Sequence, residues 1–220
     1  MSLTFAFDVY GTLINTHGLV TELEKSVGDQ AKAFSQMWRD KQLEYSFRKG
    51  LMGRYEQFSV CTQQALDYTC QFFQVEMSDT QKNALLISYG KLPVFEDVML
   101  GLEALSDHQL FAFSNGAAGA VDNLLGNAGI RPAFQDIISV DEIQTFKPNP
   151  ETYAHFLKRT NAKADRTWLI SSNPFDVIGA KSAGFNTAWV QRDAKAIFDP
   201  WGVEPDLIVT SLLELAERIN

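Results

Sequence analysis

What most limits the folds open to this chain is an interrupted alternation. Short runs of strand character stand at residues 3–7, 109–113, 137–140, 167–171, 187–190 and 207–209, and amphipathic patterns separate most of the later ones, at 96–107, 117–128, 150–160 and 175–183. Such runs, alternating with helices, build a parallel sheet covered on both faces, so the expected class is α/β with a doubly wound parallel sheet. Between residues 15 and 91 the alternation stops. That interval carries helical periodicity only, near 18–26, 31–48, 54–73 and 79–89, and reads as an all-helical insertion that leaves after the first strand and returns before the second. The expected organisation is a core of residues 1–14 and 92–220 and a helical cap of residues 15–91. The sequence carries no internal repeat and no low-complexity segment.

With 220 residues, 45% apolar and 21% charged, the chain can bury a full core and belongs with ordinary globular proteins. A formal net charge of −8 opposes a sequence-independent hold on nucleic acid or on an anionic membrane, so neither partner is expected. An anionic ligand would have to be received by a few local cations. No stretch approaches bilayer-spanning length and no signal-type leader opens the chain, so a cytoplasmic protein is expected. Cys61 and Cys70 lie on a helical pattern in which Phe58, Cys61, Ala65, Tyr68 and Phe72 recur at steps of three and four. Cys61 is expected to fill a buried helix face, and nothing suggests a metal or disulfide framework.

In an open α/β sheet the ligand binds outside the carboxyl ends of the strands. Strand one is followed by Asp8, Tyr10 and Thr12, and strand two by Ser114-Asn115-Gly116 ahead of a helix whose first amides can receive an anion. Beyond strand three, Lys147 stands in TFKPNPETY, with Asn149 as the expected N-cap and Pro150 at the first helical position. Strand four runs into Ser171-Ser172-Asn173-Pro174-Phe175-Asp176. Singly, each of these is a common cap, turn or surface residue. Together, four strand ends offer an acid, a hydroxyl with an amide, a lysine and a second acid.

The series Asp8-x-Tyr10-x-Thr12, Ser114-Asn115-Gly116, Lys147-Pro148 and Ser171-Ser172-Asn173-x-x-Asp176 resembles the haloacid dehalogenase superfamily over essentially the whole chain. The resemblance implies a Rossmann-like core with the helical insertion as its cap. Most members resemble phosphatases, with a second Asp two residues after the nucleophile as acid and Mg²⁺ ligand. Here that place is Tyr10, and Ser172-Asn173 replaces the usual Gly-Asp of the fourth motif. A phenol, with an unperturbed pKa of about 10, suits neither task. Tyr at that place together with Ser-Ser-Asn is the pattern of the (S)-2-haloacid dehalogenase (type II) group, which MWRDKQLEYSFRKGLMGRY in the cap also resembles. Asp40 departs from the group, which has a neutral polar residue at that place, and Phe175 stands where a Trp or another aromatic is expected, a milder departure that bears on pocket width.

The resemblance implies cofactor-independent hydrolysis of short (S)-2-haloalkanoate anions to (R)-2-hydroxy acids, with no metal. A carboxylate is already ionised at neutral pH, so Asp8 needs no partner base to displace a halide from carbon and form an ester that water then cleaves. Thr12 and Lys147 keep Asp8 ionised and aimed, with Ser171 and Asn173 in the same motif set. Asp176 positions or deprotonates the hydrolytic water, with Lys147 oriented between the two acids. Ser114 and the helix-start amides receive the substrate carboxylate, and Arg39 with Asn115 receives the halide. Tyr10, Leu43, Phe58, Tyr153 and Phe175 complete the substrate pocket. Two other readings stay open: a Mg²⁺-dependent phosphatase or phosphonatase, and a catalytically silent binding protein on the same fold. A homodimer is also left open.

Overall fold

The structure, a computed structural model, describes residues 2–219. Residues 1 and 220, the outer limits of the expected core, lie outside the described residues. Six strands, β1 (Thr4–Asp8), β2 (Gln109–Ser114), β3 (Asp136–Ser139), β4 (Thr167–Ser171), β5 (Asn186–Val190) and β6 (Leu207–Val209), form one sheet in the order β3-β2-β1-β4-β5-β6. Every pairing is parallel. All five residues of the central β1 are buried, as expected for a strand covered on both faces. The strand order reverses beside β1, so its carboxyl end, at Asp8, opens onto the crevice where such sheets bind ligands.

Helices α1 (Val20–Val27), α2 (Ala31–Leu51), α3 (Phe58–Phe72) and α4 (Asp79–Tyr89) follow β1 with no strand among them. Then come α5 (Val98–Ala104), α6 (Ala118–Asn127), α7 (Pro150–Thr160), α8 (Pro174–Ser182) and α9 (Leu212–Ile219). The two passages between sheet and helical insertion run side by side: Ile14 bridges Val94, Asn15 N–H donates to the Pro93 carbonyl at 2.8 Å, and Phe95 N–H to that of Leu13 at 3.1 Å.

Several elements differ from the sequence reading. The expected helix at 31–48 continues to Leu51 and stops at Gly53, whose φ of 62° is left-handed; Gly53 N–H returns to the Gly50 carbonyl and Arg54 N–H to that of Lys49. This terminal motif favours glycine at its left-handed position and delays α3 to Phe58. On α3 the buried face runs Phe58, Cys61, Thr62, Ala65, Leu66, Thr69 and Cys70, while Phe72, assigned to the stripe, is 57% exposed. The packed face drifts at 3.6 residues per turn and leaves Phe72 at its edge, against Tyr68 and Phe73. The pattern at 96–107 shortens to seven helical residues. Here Asp97 does not cap the helix, because its carboxylate accepts from Arg192 at 2.7 Å and from Leu212 N–H at 2.6 Å. The sequence reading left α9 unassigned; it buries Leu212, Leu215 and Ala216.

Candidate active site

The carboxyl ends of β1 and β4 and the loop before α7 bring four predicted residues onto one carboxylate. Asp8, 8% exposed, receives Lys147 Nζ on Oδ1 at 3.1 Å. Its Oδ2 accepts from three neutral donors: Thr12 Oγ1 at 2.9 Å, Ser171 Oγ at 3.0 Å and Asn173 Nδ2 at 2.6 Å. Asn173 begins α8 but makes no side-chain cap, since its amide is spent on Asp8 and on the Tyr10 carbonyl. Lys147 Nζ also donates to Asp176 Oδ2 at 2.6 Å and lies 4.3 Å from the centre of the Phe113 ring. Asp176 is wholly buried in the first turn of α8, where the helix dipole favours an anion.

Burying three ionisable groups is unfavourable unless each is paired and hydrogen-bonded. Burial alone would raise the Asp8 carboxyl, but the Lys147 ammonium, the Thr12 hydroxyl and the charge of Arg39 outweigh it and hold Asp8 below its ordinary value. For Asp176, burial wins over Lys147, and with the charge of Asp8 nearby the carboxyl is pushed up to about 6. Burial also opposes the Lys147 charge, yet Asp176 and Asp8 together raise its pKa. The cluster therefore contains one anion that stays ionised and one that titrates near neutrality.

Tyr153 lies behind Asp176, fully buried on α7, and donates its hydroxyl to Asp176 Oδ1 at 2.9 Å. Gly179, one turn after Asp176, leaves room for this contact; a Cβ there would collide with the Tyr153 hydroxyl. Asn115 fixes the lysine loop, its Oδ1 accepting from Lys147 N–H at 2.9 Å, which turns the amide nitrogen the other way. Ser114 Oγ accepts from Gly116 N–H at 3.1 Å, and α6 follows without a side-chain cap.

From α2 of the helical insertion, Arg39 Nη2 reaches the Tyr10 carbonyl at 3.3 Å and Nη1 donates to Gln42 Oε1 at 2.7 Å. The Tyr10 ring packs 5.8 Å from both Phe58 and Tyr89, and burial pushes its phenol well above the ordinary value. Leu43 is half-buried on α2. Phe175 packs on Phe47 at 5.0 Å and faces a cavity of about 720 Å³ that also touches Lys147 but not Asp8, Arg39 or Asn115. Asp40 is exposed and accepts from Gln36 at 2.9 Å, on the outer surface of α2.

Gln42 and Tyr89 were missed in the sequence. The signal was present for Gln42: it continues the buried series Ala31, Phe34, Ser35, Trp38 on α2 and stands three residues after Arg39. The donor set does not fit a divalent cation, because the Lys147 ammonium occupies the space between the two carboxylates. Among the described residues, no group of three or more His, Cys, Asp or Glu side chains forms a metal-ligand set. No helix among them is long and apolar enough to cross a membrane.

The chain is 34% identical over 216 residues to (S)-2-haloacid dehalogenase 2 of Pseudomonas sp. (strain CBS-3), covering 97% of this chain and 94% of that one. It is 35% identical over 206 residues to haloacetate dehalogenase H-2 of Moraxella sp. (strain B), covering 93% and 92%. In structure it is similar to L-2-haloacid dehalogenase from Xanthobacter autotrophicus with chloropropionic acid covalently bound, at a TM-score of 0.91 and 30% identity over 100% and 98% of the two chains. A family model for haloacid dehalogenase-like hydrolases matches residues 3–184, and with relatives this similar along nearly its whole length, the chain belongs to that family.

Proposed function

We propose that the protein hydrolyses short (S)-2-haloalkanoates to (R)-2-hydroxy acids and halide, without a metal, through an ester on Asp8. The observation that carries this reading is the uneven dressing of the Asp8 carboxylate, with one oxygen under three neutral side-chain donors and the other accepting from the Lys147 ammonium. The relatives named as (S)-2-haloacid dehalogenases support the substrate class.

In the first step Oδ1 attacks C2 from the side opposite the halogen. The new C–O bond forms as the carbon–halogen bond breaks, and the halide leaves with the electron pair, inverting the carbon. The substrate carboxylate is held by the first amides of α6 beside Ser114. The halide is received by Arg39 and the Asn115 amide, whose positive ends face the developing charge. Tyr10 and Phe58 form the apolar wall, with Leu43 and Phe175 further out.

In the second step Asp176 takes a proton from water, which attacks Cγ of Asp8. Negative charge then gathers on Oδ2, where Thr12, Ser171 and Asn173 already stand within hydrogen-bonding distance. The tetrahedral centre collapses and Oδ1 departs as the product alkoxide. Lys147 protonates it and recovers the proton from Asp176 across their 2.6 Å contact, while the second proton of the water, left on the new Asp8 carboxyl, passes to solvent and Asp8 is an anion again. Residues 15–91 act as a cap that excludes water during displacement and admits it for hydrolysis. Tyr153 serves Asp176 rather than the substrate. The two buried thiols, Cys61 and Cys70, are in keeping with a cytoplasmic setting.

A single turnover in ¹⁸O-labelled water with enzyme in excess tests the covalent route. The label is expected in Asp8 and not in the hydroxy acid, in buffer containing EDTA. Labelled product after one turnover would instead make Asp8 a base for direct attack by water.

A further inference from the structure

The cap-side cation is itself held, by a residue to which the reaction above assigns nothing. Gln42 is fully buried on α2. Its Oε1 accepts from Arg39 Nη1 at 2.7 Å and from the Tyr89 hydroxyl at 3.1 Å, and its Nε2 donates to Thr62 Oγ1 at 2.5 Å. The Thr62 hydroxyl gives its own proton to the Phe58 carbonyl at 2.9 Å, so towards Gln42 it only accepts. That requirement turns the amide nitrogen to α3 and the amide oxygen to Arg39. The orientation is thus locked by three helices, and a buried amide is tolerated here because both its oxygen and its nitrogen are engaged.

What distinguishes this acceptor is that it is neutral. A carboxylate of the same length would aim the guanidinium as well but would cancel the charge it is meant to present. The other acceptor on Arg39, the Tyr10 carbonyl, is neutral too. Tyr89 completes the hold, its ring lying 5.8 Å from Tyr10 and 5.5 Å from Trp38.

We infer that Gln42 is a positioning residue for dehalogenation: it aims Arg39 at the departing halide while leaving its positive charge unspent. This rests on the proposed role of Arg39 as halide donor. A leaving group that departs less readily draws more on that donor, so Gln42 matters more for chloride than for bromide.

The test is single-turnover halide release from (S)-2-chloropropionate and (S)-2-bromopropionate, with KM measured in parallel. Gln42→Glu, which keeps the shape and adds a charge, is expected to slow chloride release about 100-fold and bromide release clearly less, with KM nearly unchanged. Tyr89→Phe keeps the ring and removes one donor, and is expected to shift the chloride-to-bromide ratio about twofold in the same direction, which serves if Gln42→Glu fails to fold. Equal losses on both halides, or a change in KM alone, in the folded variants would overturn the inference. Arg39→Ala separates the two claims. If it lowers chloride release selectively while the Gln42 and Tyr89 variants do not, only the positioning role fails; if it shows no halide selectivity, the halide role of Arg39 fails and takes the inference with it.

Discussion

The two sides of this site hold charge by opposite means. On the core side Lys147 lies between Asp8 and Asp176, ammonium against carboxylate at 3.1 and 2.6 Å, all three nearly or wholly buried. On the cap side Arg39 meets an amide oxygen and a backbone carbonyl, with aromatic rings around them. Charges that must stay in place through two chemical steps are paired with one another. The charge proposed to receive a transient anion is aimed by neutral partners. The contrast also separates rigidity from access: the ion pairs stand on strand ends and helix starts of the sheet, while the cation rides on a helix of the insertion.

The largest break on the core side is Asp176→Asn. If Asp176 serves hydrolysis and not displacement, steady-state turnover falls about 1,000-fold while halide still appears in a single-turnover burst and the Asp8 ester accumulates, to be found by mass. Loss of the burst as well would assign Asp176 to both steps. A smaller break is Tyr153→Phe. Asp176 must be ionised to take a proton from water, and its carboxyl is pushed up to about 6, so hydrolysis-limited kcat is present above that pH and lost as pH falls through it. The Tyr153 hydroxyl favours the ionised form. Its removal moves the acid limb of the pH–kcat profile upward, with a loss of about fivefold at pH 6 that shrinks by pH 8. An unmoved limb would restrict Tyr153 to packing. The smallest effect belongs to Asp40→Asn on the cap, where the residue is exposed and turned outward onto Gln36. Here kcat and KM are expected to stay within about twofold and stability within about 0.5 kcal/mol, measured by steady-state kinetics and thermal melting.

The core side was far more legible in the sequence than the cap side, for a physical reason. Asp8, Lys147 and Asp176 follow apolar runs, and in a parallel sheet the end of a run is also a place in space, so chain position predicts convergence. Nothing comparable places Gln42 against Tyr89, 47 residues apart on α2 and α4. Helical periodicity says which face of each helix is covered but not which helix covers it. The same limit hid the exposure of Phe72 and the pairing of Asp97 with Arg192 and Leu212. Tyr153 was associated with the site, but its depth behind Asp176 depends on the missing side chain of Gly179, a packing fact that a single sequence does not display.

The lopsided dressing of Asp8 has a consequence for the wear of the side chain. Three donors on Oδ2 resist rotation of the carboxylate about its Cβ–Cγ bond. If the group does not turn over between cycles, the oxygen that departs with product is always the one beside Lys147, and water replaces that one alone. One oxygen of the nucleophile is then a reagent renewed at each cycle, and the other is a lasting part of the protein, bearing the charge of each hydrolysis without being exchanged.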